Sequence, residues 1–203
     1  MYVYIAGALI AYLVGGLSPA LFISWCKNKD IRSHGTGNLG ASNTVILIGA
    51  KWGVLVAVLD ILKAYIPVTI AKIAFSQYEF MPYIVATSVI LGHIFPFYLK
   101  FKGGKGFATY MGAMLGISLN AFLIIGFIFL VVMFESDYIV LGTLTVVSLF
   151  PIYLWFAFEN IYYVLILAIA SAVIIFKHRT NIVKIINKKE IGLSDAFSGK
   201  HKI

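Results

Sequence analysis

The sequence is poor in charge, in acidic residues and in cysteine, and each shortage excludes a class of protein. Only 12% of its 203 residues are charged, with 16 Lys and Arg against 8 Asp and Glu, whereas 61% are hydrophobic and the mean hydropathy is +0.96. No ordinary water-soluble domain has this balance. The one cysteine, Cys26, excludes a disulfide framework and a cysteine-based zinc site. The expected solvent of the chain is therefore the lipid bilayer.

Long apolar runs follow one another along the chain and predict an all-α polytopic integral membrane protein. In lipid every backbone amide must find a partner within its own segment, so runs of about 20 apolar residues form spanning helices. Strands of a membrane barrel would alternate apolar and polar side chains, and these runs do not alternate. The runs cover residues 2–26, 45–75, 82–99, 107–134, 138–158 and 161–176.

The distribution of basic residues predicts how many times the chain crosses the membrane. Thirteen of the sixteen Lys and Arg lie in residues 27–32, 100–105 and 177–202, and basic loops stay on the cytoplasmic side. Six single passes would leave the third stretch on the other side, so we expect residues 107–134 to form two short helices that turn back near Asn120. The result is a seven-helix bundle with its N-terminus outside and its C-terminus cytoplasmic. The first helix is expected to be retained, because no Lys or Arg precedes residue 27.

The chain end is more polar than the rest, and residues 177–203 are predicted to be an amphipathic cytoplasmic tail. Ile182, Ile185 and Ile186 share an apolar stripe that favours a helix lying along the lipid headgroups. Surface anchoring explains the lysines of this segment fully, but it explains His178 and Asn181 less well. Length and the lack of a linker predict one membrane-embedded domain over residues 1–203.

The first polar segment, residues 31–43, reads Ile-Arg-Ser-His-Gly-Thr-Gly-Asn-Leu-Gly-Ala-Ser-Asn. Its glycines, asparagines and hydroxyl residues are typical of a loop that offers backbone amides and short donors to an anion. A helix that begins near Ser42 or Thr44 would direct its positive end at the same space. An ordinary turn between two helices explains the composition about as well.

The second polar segment, residues 92–109, contains Lys102-Gly-Gly-Lys-Gly106 directly before an expected helix start. Two ammonium groups among flexible amides suit a phosphate. The pattern is not the nucleotide P-loop, because no Ser or Thr follows Lys105. A positive-inside membrane anchor is the alternative. His93 lies in an apolar run, where an ionisable side chain is by default a functional candidate.

Two charged residues, Asp60 and Lys63, stand three positions apart within an apolar run. Each of them would be unfavourable alone in lipid, so we expect them to form an ion pair that faces the bundle interior. We expect this pair to have a structural role.

The three polar segments, taken in order, resemble the bacterial acyl-phosphate:glycerol-3-phosphate acyltransferases of the PlsY type. The likeness covers almost the whole chain. Its matching positions are Ser18-Pro19, Gly37-Asn38, Gly40-Ala41, Asn43, Gly92-His93, Phe95-Pro96, Phe101, the Lys102-Gly-Gly-Lys-Gly106 run, Leu119-Asn120, His178-Arg179, Asn181-Ile182 and Glu190.

The resemblance implies a reaction and a set of site residues. The reaction is acyl transfer from acyl phosphate to the 1-hydroxyl of glycerol 3-phosphate, without metal, cofactor or acyl-CoA, by a multi-pass protein of the bacterial cytoplasmic membrane. His178 and Asn181 are the implied catalytic candidates. The implied partners are the two substrates and membrane lipids, with no nucleic acid. The substrate-binding candidates are Arg32, Thr36, Gly37, Asn38, Asn43, His93, Lys102, Gly103, Gly104, Lys105, Gly106 and Thr143.

The chain departs from the family pattern at several of these positions. Thr36 stands in the place of a Ser and keeps its hydroxyl, but Ile46 stands where the family has an Arg. Asp137 and Val140 stand where the family tends to have an Arg and a Ser, while Thr143 retains a hydroxyl nearby. The loss of two cations and the gain of an acid predict a weaker site for two phosphates.

Two other functions compete with this interpretation. An acyl-CoA-dependent acyltransferase needs a His and an Asp separated by four residues, and none of the four histidines has such an Asp. A divergent paralogue that transports or merely binds phosphorylated lipid precursors is the alternative from another class. A transporter is expected to place polar groups near the bilayer midplane, whereas the polar groups of this chain gather at one face.

Overall fold

The structure is a computed structural model that describes residues 1–198, and these residues form eleven α-helices and one 3₁₀ turn. The all-α prediction is confirmed. The helices are α1 Tyr2–Gly16, α2 Pro19–Cys26, α3 Ala41–Ile48, α4 Ala50–Ala74, α5 Met81–Ile94, α6 Phe107–Ile117, α7 Leu119–Ser136, α8 Ile139–Phe158, α9 Ile161–Lys177, α10 Arg179–Ile186 and α11 Leu193–Ser198, and the 3₁₀ turn is Phe97–Leu99.

Several helical stretches of the described chain are long and apolar enough to cross a membrane. Five of them qualify alone: Tyr2–Cys26, Ala50–Ala74, Met81–Leu99, Leu119–Ser136 and Ile139–Phe158. Helices α9 and α10, bent by 45° at their junction, qualify together as a sixth. Helix α6 is apolar but shorter. The polytopic helical architecture expected from hydropathy is therefore present.

Two of the predicted single passes contain helix breaks, although Tyr2–Cys26 qualifies as one apolar span with the predicted bounds. In the first run the Ser18 hydroxyl accepts a hydrogen bond from Leu21 N at 3.3 Å, and Pro19 occupies the first helical position. Both features start a new helix. The run 45–75 is likewise not one helix, because Gly49, with φ +119°, separates α3 from α4. The predicted pass over residues 45–75 is therefore shortened to α4, which qualifies alone as a span.

The break predicted near Asn120 lies at Ser118. The Ser118 hydroxyl accepts a hydrogen bond from Ala121 N at 3.2 Å and caps the start of α7. Helix α6 has 11 residues and α7 has 18, so one of the two expected short helices is of spanning length.

The helices group into two compact units, Met1–Ile117 and Ser118–Ile203. In the first unit α1 packs against α5, and α4 packs against α3, α5 and α6. Glycines allow the backbones to approach closely: a Cβ at Gly15 would overlap the Val89 carbonyl, and one at Gly92 would overlap the Tyr12 carbonyl. Small residues serve this purpose in membrane bundles. In the second unit α8 packs against α7 and α9, and α10 packs against α9.

The predicted amphipathic tail is helical in part. Helix α10 carries it as far as Ile186, and α11 follows from Leu193 to Ser198. Residues 199–203 of the predicted tail lie outside the described residues.

Candidate active site

The first loop, residues 27–40, joins α2 to α3 and contains most of the first polar segment. Apolar side chains that pack into the first unit hold it in place. Ile31 and Leu39 are buried in one cluster with Ala20, Ile23 and Val56. The polar residues between these two anchors stay at the surface. Arg32, Thr36 and Gly37 are exposed, and Asn38 is half-buried.

Asn43 organises this loop from beneath. Its side chain is fully buried, its Oδ1 accepts from Thr36 N at 2.8 Å, and its Nδ2 donates to Ile31 O at 2.8 Å and to His34 O at 3.3 Å. A buried amide with these bonds fixes the path of the loop between Ile31 and Thr36. Asn43 was predicted as a substrate-binding residue, and the structure gives its amide a role in shaping the loop.

The glycine loop, residues 102–106, folds back over the end of α5. Gly103 N donates to Ile94 O at 3.0 Å and Gly104 N donates to His93 O at 3.1 Å. These two amides therefore close the end of a helix, although the sequence suggested them for an anion. Lys102 is exposed, Lys105 is half-buried, and α6 begins directly after the loop. The positive end of α6 favours an anion at this place.

Gly104 is the point where the two loops meet. A Cβ built on Gly104 would overlap the imidazole of His93 and would lie 2.7 Å from Leu39 O. Leu39 belongs to the first loop, so the structure brings the first loop, His93 and the glycine loop together. Only a residue without a side chain fits this junction.

The predicted ion pair of Asp60 and Lys63 is confirmed, with Nζ and Oδ1 2.7 Å apart. It has a further partner that the sequence did not reveal: Lys63 Nζ lies 2.7 Å from His93 Nδ1 and donates to Leu17 O at 2.8 Å. All three ionisable side chains are buried. Asp60 and Lys63 thus contact His93, whose imidazole packs against Gly104 of the glycine loop.

In the second unit His178 stands at the bend between α9 and α10. Its exposed fraction is 5%, and its Nδ1 lies 2.8 Å from Ile174 O. A carbonyl only accepts, so Nδ1 carries a proton and the neutral ring has its lone pair on Nε2. The backbone of His178 also caps α9, because its N–H donates to Ile174 O and Ile175 O. The orientation of this imidazole is therefore fixed.

Asn181 lies one turn further on and is buried. Its Nδ2 donates to Glu190 Oε1 at 2.5 Å. Thr143, one turn into α8, is also buried, and its hydroxyl donates to Ile139 O at 3.0 Å. The sequence marked Glu190 only as part of the family pattern, and the structure shows that it holds the Asn181 amide.

The three positions that depart from the family pattern differ in burial and in hydrogen bonding. Ile46 is half-buried on α3 and Val140 is buried on α8. The Asp137 carboxylate accepts from Ser194 N at 2.9 Å and from Ser194 Oγ at 2.7 Å. These hydrogen bonds hold the pKa of Asp137 below its ordinary value. The extra acid is thus engaged by the start of α11.

The described residues contain no group of three or more His, Cys, Asp and Glu side chains that could hold a metal ion. The side chains and backbone of the candidate loops offer amides, ammonium groups and imidazoles.

Apolar spanning helices joined by glycine- and lysine-rich loops define an integral membrane protein with a candidate phosphate site. The family model described as glycerol-3-phosphate acyltransferase matches residues 5–188. The chain is 38% identical to the glycerol-3-phosphate acyltransferase of Pelagibacter ubique, with 92% of this chain and 96% of the relative covered. It is 33% identical to that of Fusobacterium nucleatum, with 90% and 94% covered.

Solved structures similar to this chain belong to the same family. The crystal structure of PlsY (YgiH), described as an integral membrane glycerol 3-phosphate acyltransferase in its glycerol 3-phosphate form, has a TM-score of 0.88 and 31% identity, with 93% of this chain and 94% of that chain covered. The lysophosphatidic acid form of PlsY has a TM-score of 0.86. The chain therefore belongs to the glycerol-3-phosphate acyltransferase family. These relatives give no support to the transporter alternative.

Proposed function

We propose that this chain transfers an acyl group from acyl phosphate to the 1-hydroxyl of glycerol 3-phosphate and so makes lysophosphatidate at the cytoplasmic face of a bacterial membrane. The observation that carries the proposal is the meeting of the first loop and the glycine loop at Gly104. Both loops are rich in amides and cations, which stabilise phosphate charge.

The first unit is proposed to bind phosphate through these two loops. Arg32, Lys102 and Lys105 supply the positive charge, and Thr36 and Asn38 supply short polar donors. The α6 N-terminus adds its partial charge directly after Gly106. Ile46 removes a cation that the family pattern has, so we expect weaker phosphate binding than in relatives that keep it.

In the second unit we propose that His178 and Asn181 contact the reacting groups, with Thr143 as a further substrate contact. The hydroxyl oxygen attacks the acyl carbonyl carbon, the bond from that carbon to the phosphate oxygen breaks, and inorganic phosphate leaves. A phosphate oxygen of the acyl donor accepts the hydroxyl proton, so no protein base is required. The role of His178 is then to orient substrate by accepting at Nε2 in the neutral ring, or to stabilise phosphate charge by donating from Nε2 in the protonated ring.

The donor is tested with purified protein, radiolabelled glycerol 3-phosphate and either palmitoyl phosphate or palmitoyl-CoA. We expect labelled lysophosphatidate from palmitoyl phosphate only. Product from the CoA thioester alone would overturn the donor assignment, and no product from either donor would overturn the proposed reaction.

We also propose seven passes, with Met1 outside and the C-terminal tail in the cytoplasm. The five long spans, the bent pair and the shorter helix α6 amount to seven apolar stretches in the described chain, which supports this number. The three basic stretches support the orientation.

Single cysteines in a Cys26→Ser background test this topology in intact cells. Ser76→Cys, Asn120→Cys and Asn160→Cys should react with an impermeant thiol reagent from outside, whereas Ser136→Cys should react only after the membrane is opened. Labelling of Ser136→Cys in intact cells would contradict the proposal that α6 and α7 are two separate passes.

A further inference from the structure

The buried ammonium of Lys63 has as many close partners as it has N–H groups. Its Nζ lies 2.7 Å from Asp60 Oδ1, 2.7 Å from His93 Nδ1 and 2.8 Å from Leu17 O. An ammonium carries three donors and no acceptor. The ammonium charge therefore has an acidic partner inside the first unit, where an unpaired ion would be strongly unfavourable.

This arrangement determines the tautomer of His93. Because Lys63 can only donate, Nδ1 of His93 must accept, and it therefore carries no proton. The proton of the neutral imidazole is then on Nε2. Asp60, whose Oδ1 lies 3.5 Å from His93 Nδ1, compensates the ammonium charge beside the ring.

The Nε2 edge of His93 lies at the junction of the two loops. The imidazole occupies the space that a Cβ on Gly104 would need, and the Leu39 carbonyl borders the same space. The backbone of His93 supports the glycine loop as well, because His93 O accepts from Gly104 N at 3.1 Å. The side chain and the backbone of His93 thus both face the loop that is proposed to bind glycerol 3-phosphate.

We propose that Lys63 and Asp60 are positioning residues for glycerol 3-phosphate, which act through His93 by fixing its Nε2–H as a donor where the first loop meets the glycine loop. This proposal rests on the proposed function. It goes beyond the structural role expected from the spacing of Asp60 and Lys63, because it links a buried ion pair of α4 to the affinity for one substrate.

The test removes both charges together, in the double variant Asp60→Leu/Lys63→Met. Replacing a buried ion pair by apolar side chains is often tolerated, whereas removing one partner leaves an unpaired charge. The variant should therefore keep its fold, but Nδ1 of His93 should no longer receive a hydrogen bond from Lys63. We expect KM for glycerol 3-phosphate to rise about tenfold or more, the size of one hydrogen bond to a charged group. KM for the acyl donor should not change.

Two further variants separate positioning from general stability. Lys72→Met is the matched control, because Lys72 lies on the same helix and donates to Ile117 O at 2.8 Å; it should leave both KM values at the wild-type level. The second variant is His93→Gln, whose side-chain amide donates without any choice of tautomer. Adding Asp60→Leu/Lys63→Met to His93→Gln should therefore raise KM for glycerol 3-phosphate no further. An unchanged KM in the double variant, or an equal rise in the His93→Gln background, would overturn the proposal.

The tautomer is measured independently of activity by ¹⁵N NMR of histidine-labelled protein in detergent, with His93→Gln to assign the signal. We expect an unprotonated Nδ1 and a protonated Nε2 in the wild type, and a mixture in the double variant. A protonated Nδ1 in the wild type would refute the proposal even if the enzyme is active. If the wild type shows this tautomer but does not use glycerol 3-phosphate, the proposed function fails and the positioning role fails with it.

Discussion

A methyl group added at Gly104 should lower kcat/KM for glycerol 3-phosphate by about 100-fold or more, the effect of displacing a binding group by about 1 Å. The Cβ would overlap the His93 imidazole and would lie 2.7 Å from the Leu39 carbonyl. Neither neighbour can move easily, because Lys63 holds the imidazole and burial of the Leu39 side chain holds its backbone. The loop itself must therefore shift, and initial rates of the purified Gly104→Ala variant at varied glycerol 3-phosphate measure the effect.

Gly16→Ala is the matched control for this change. Gly16 is also a buried glycine of the first unit, but a Cβ there would meet its nearest neighbours at 3.7 Å and beyond, which is ordinary contact. We expect Gly16→Ala to keep the wild-type kinetics. Wild-type kcat/KM in Gly104→Ala would show that the glycine loop does not bind this substrate, and equal losses in both variants would indicate a general packing effect.

Hydropathy predicted most of the fold because the interior of the bilayer tolerates few alternatives to a helix. What it missed are breaks made by single residues inside apolar runs. Ser18-Pro19 and Gly49 lie in stretches whose composition resembles that of a continuous helix, and each break depends on one cap or one dihedral angle. The break at Ser118 was anticipated near Asn120 because the count of basic stretches required one more pass.

The loops of the candidate site could be recognised from sequence because glycine, lysine and asparagine cluster in them. Their internal partners could not, because these depend on how distant helices pack. The pairing of Asp60 with Lys63 follows from the helical period, but the contact of Lys63 with His93 joins residues 30 positions apart. Likewise, the glycine amides were expected to face an anion, and the reversal of the chain after Pro96 directs those of Gly103 and Gly104 to the end of α5.

Replacing His178 with Gln should lower kcat by less than about 100-fold, because loss of a general base typically costs about 10²–10⁴-fold and the proposed mechanism needs no such base. Gln keeps one donor and one acceptor near the position of Nε2. It does not reproduce the bond that Nδ1 makes to Ile174 O at 2.8 Å, so a moderate loss is expected from a less fixed side chain. Single-turnover rates with saturating acyl phosphate measure this step directly.

His178→Asn provides the complementary change, since its shorter amide can donate to the Ile174 carbonyl in the place of Nδ1 but leaves nothing at the position of Nε2. If His178 serves to contact phosphate or substrate, the Asn variant should lose more activity than the Gln variant. If its main role is to hold the bend between α9 and α10, the order should reverse. A third result is expected if His178 is a general base. In that case kcat should fall by more than about 100-fold in both variants. The wild-type rate should decrease at low pH because the imidazole becomes protonated, and both variants should lose this decrease. That result in folded protein would replace the substrate-assisted mechanism by one in which Nε2 of His178 takes the hydroxyl proton.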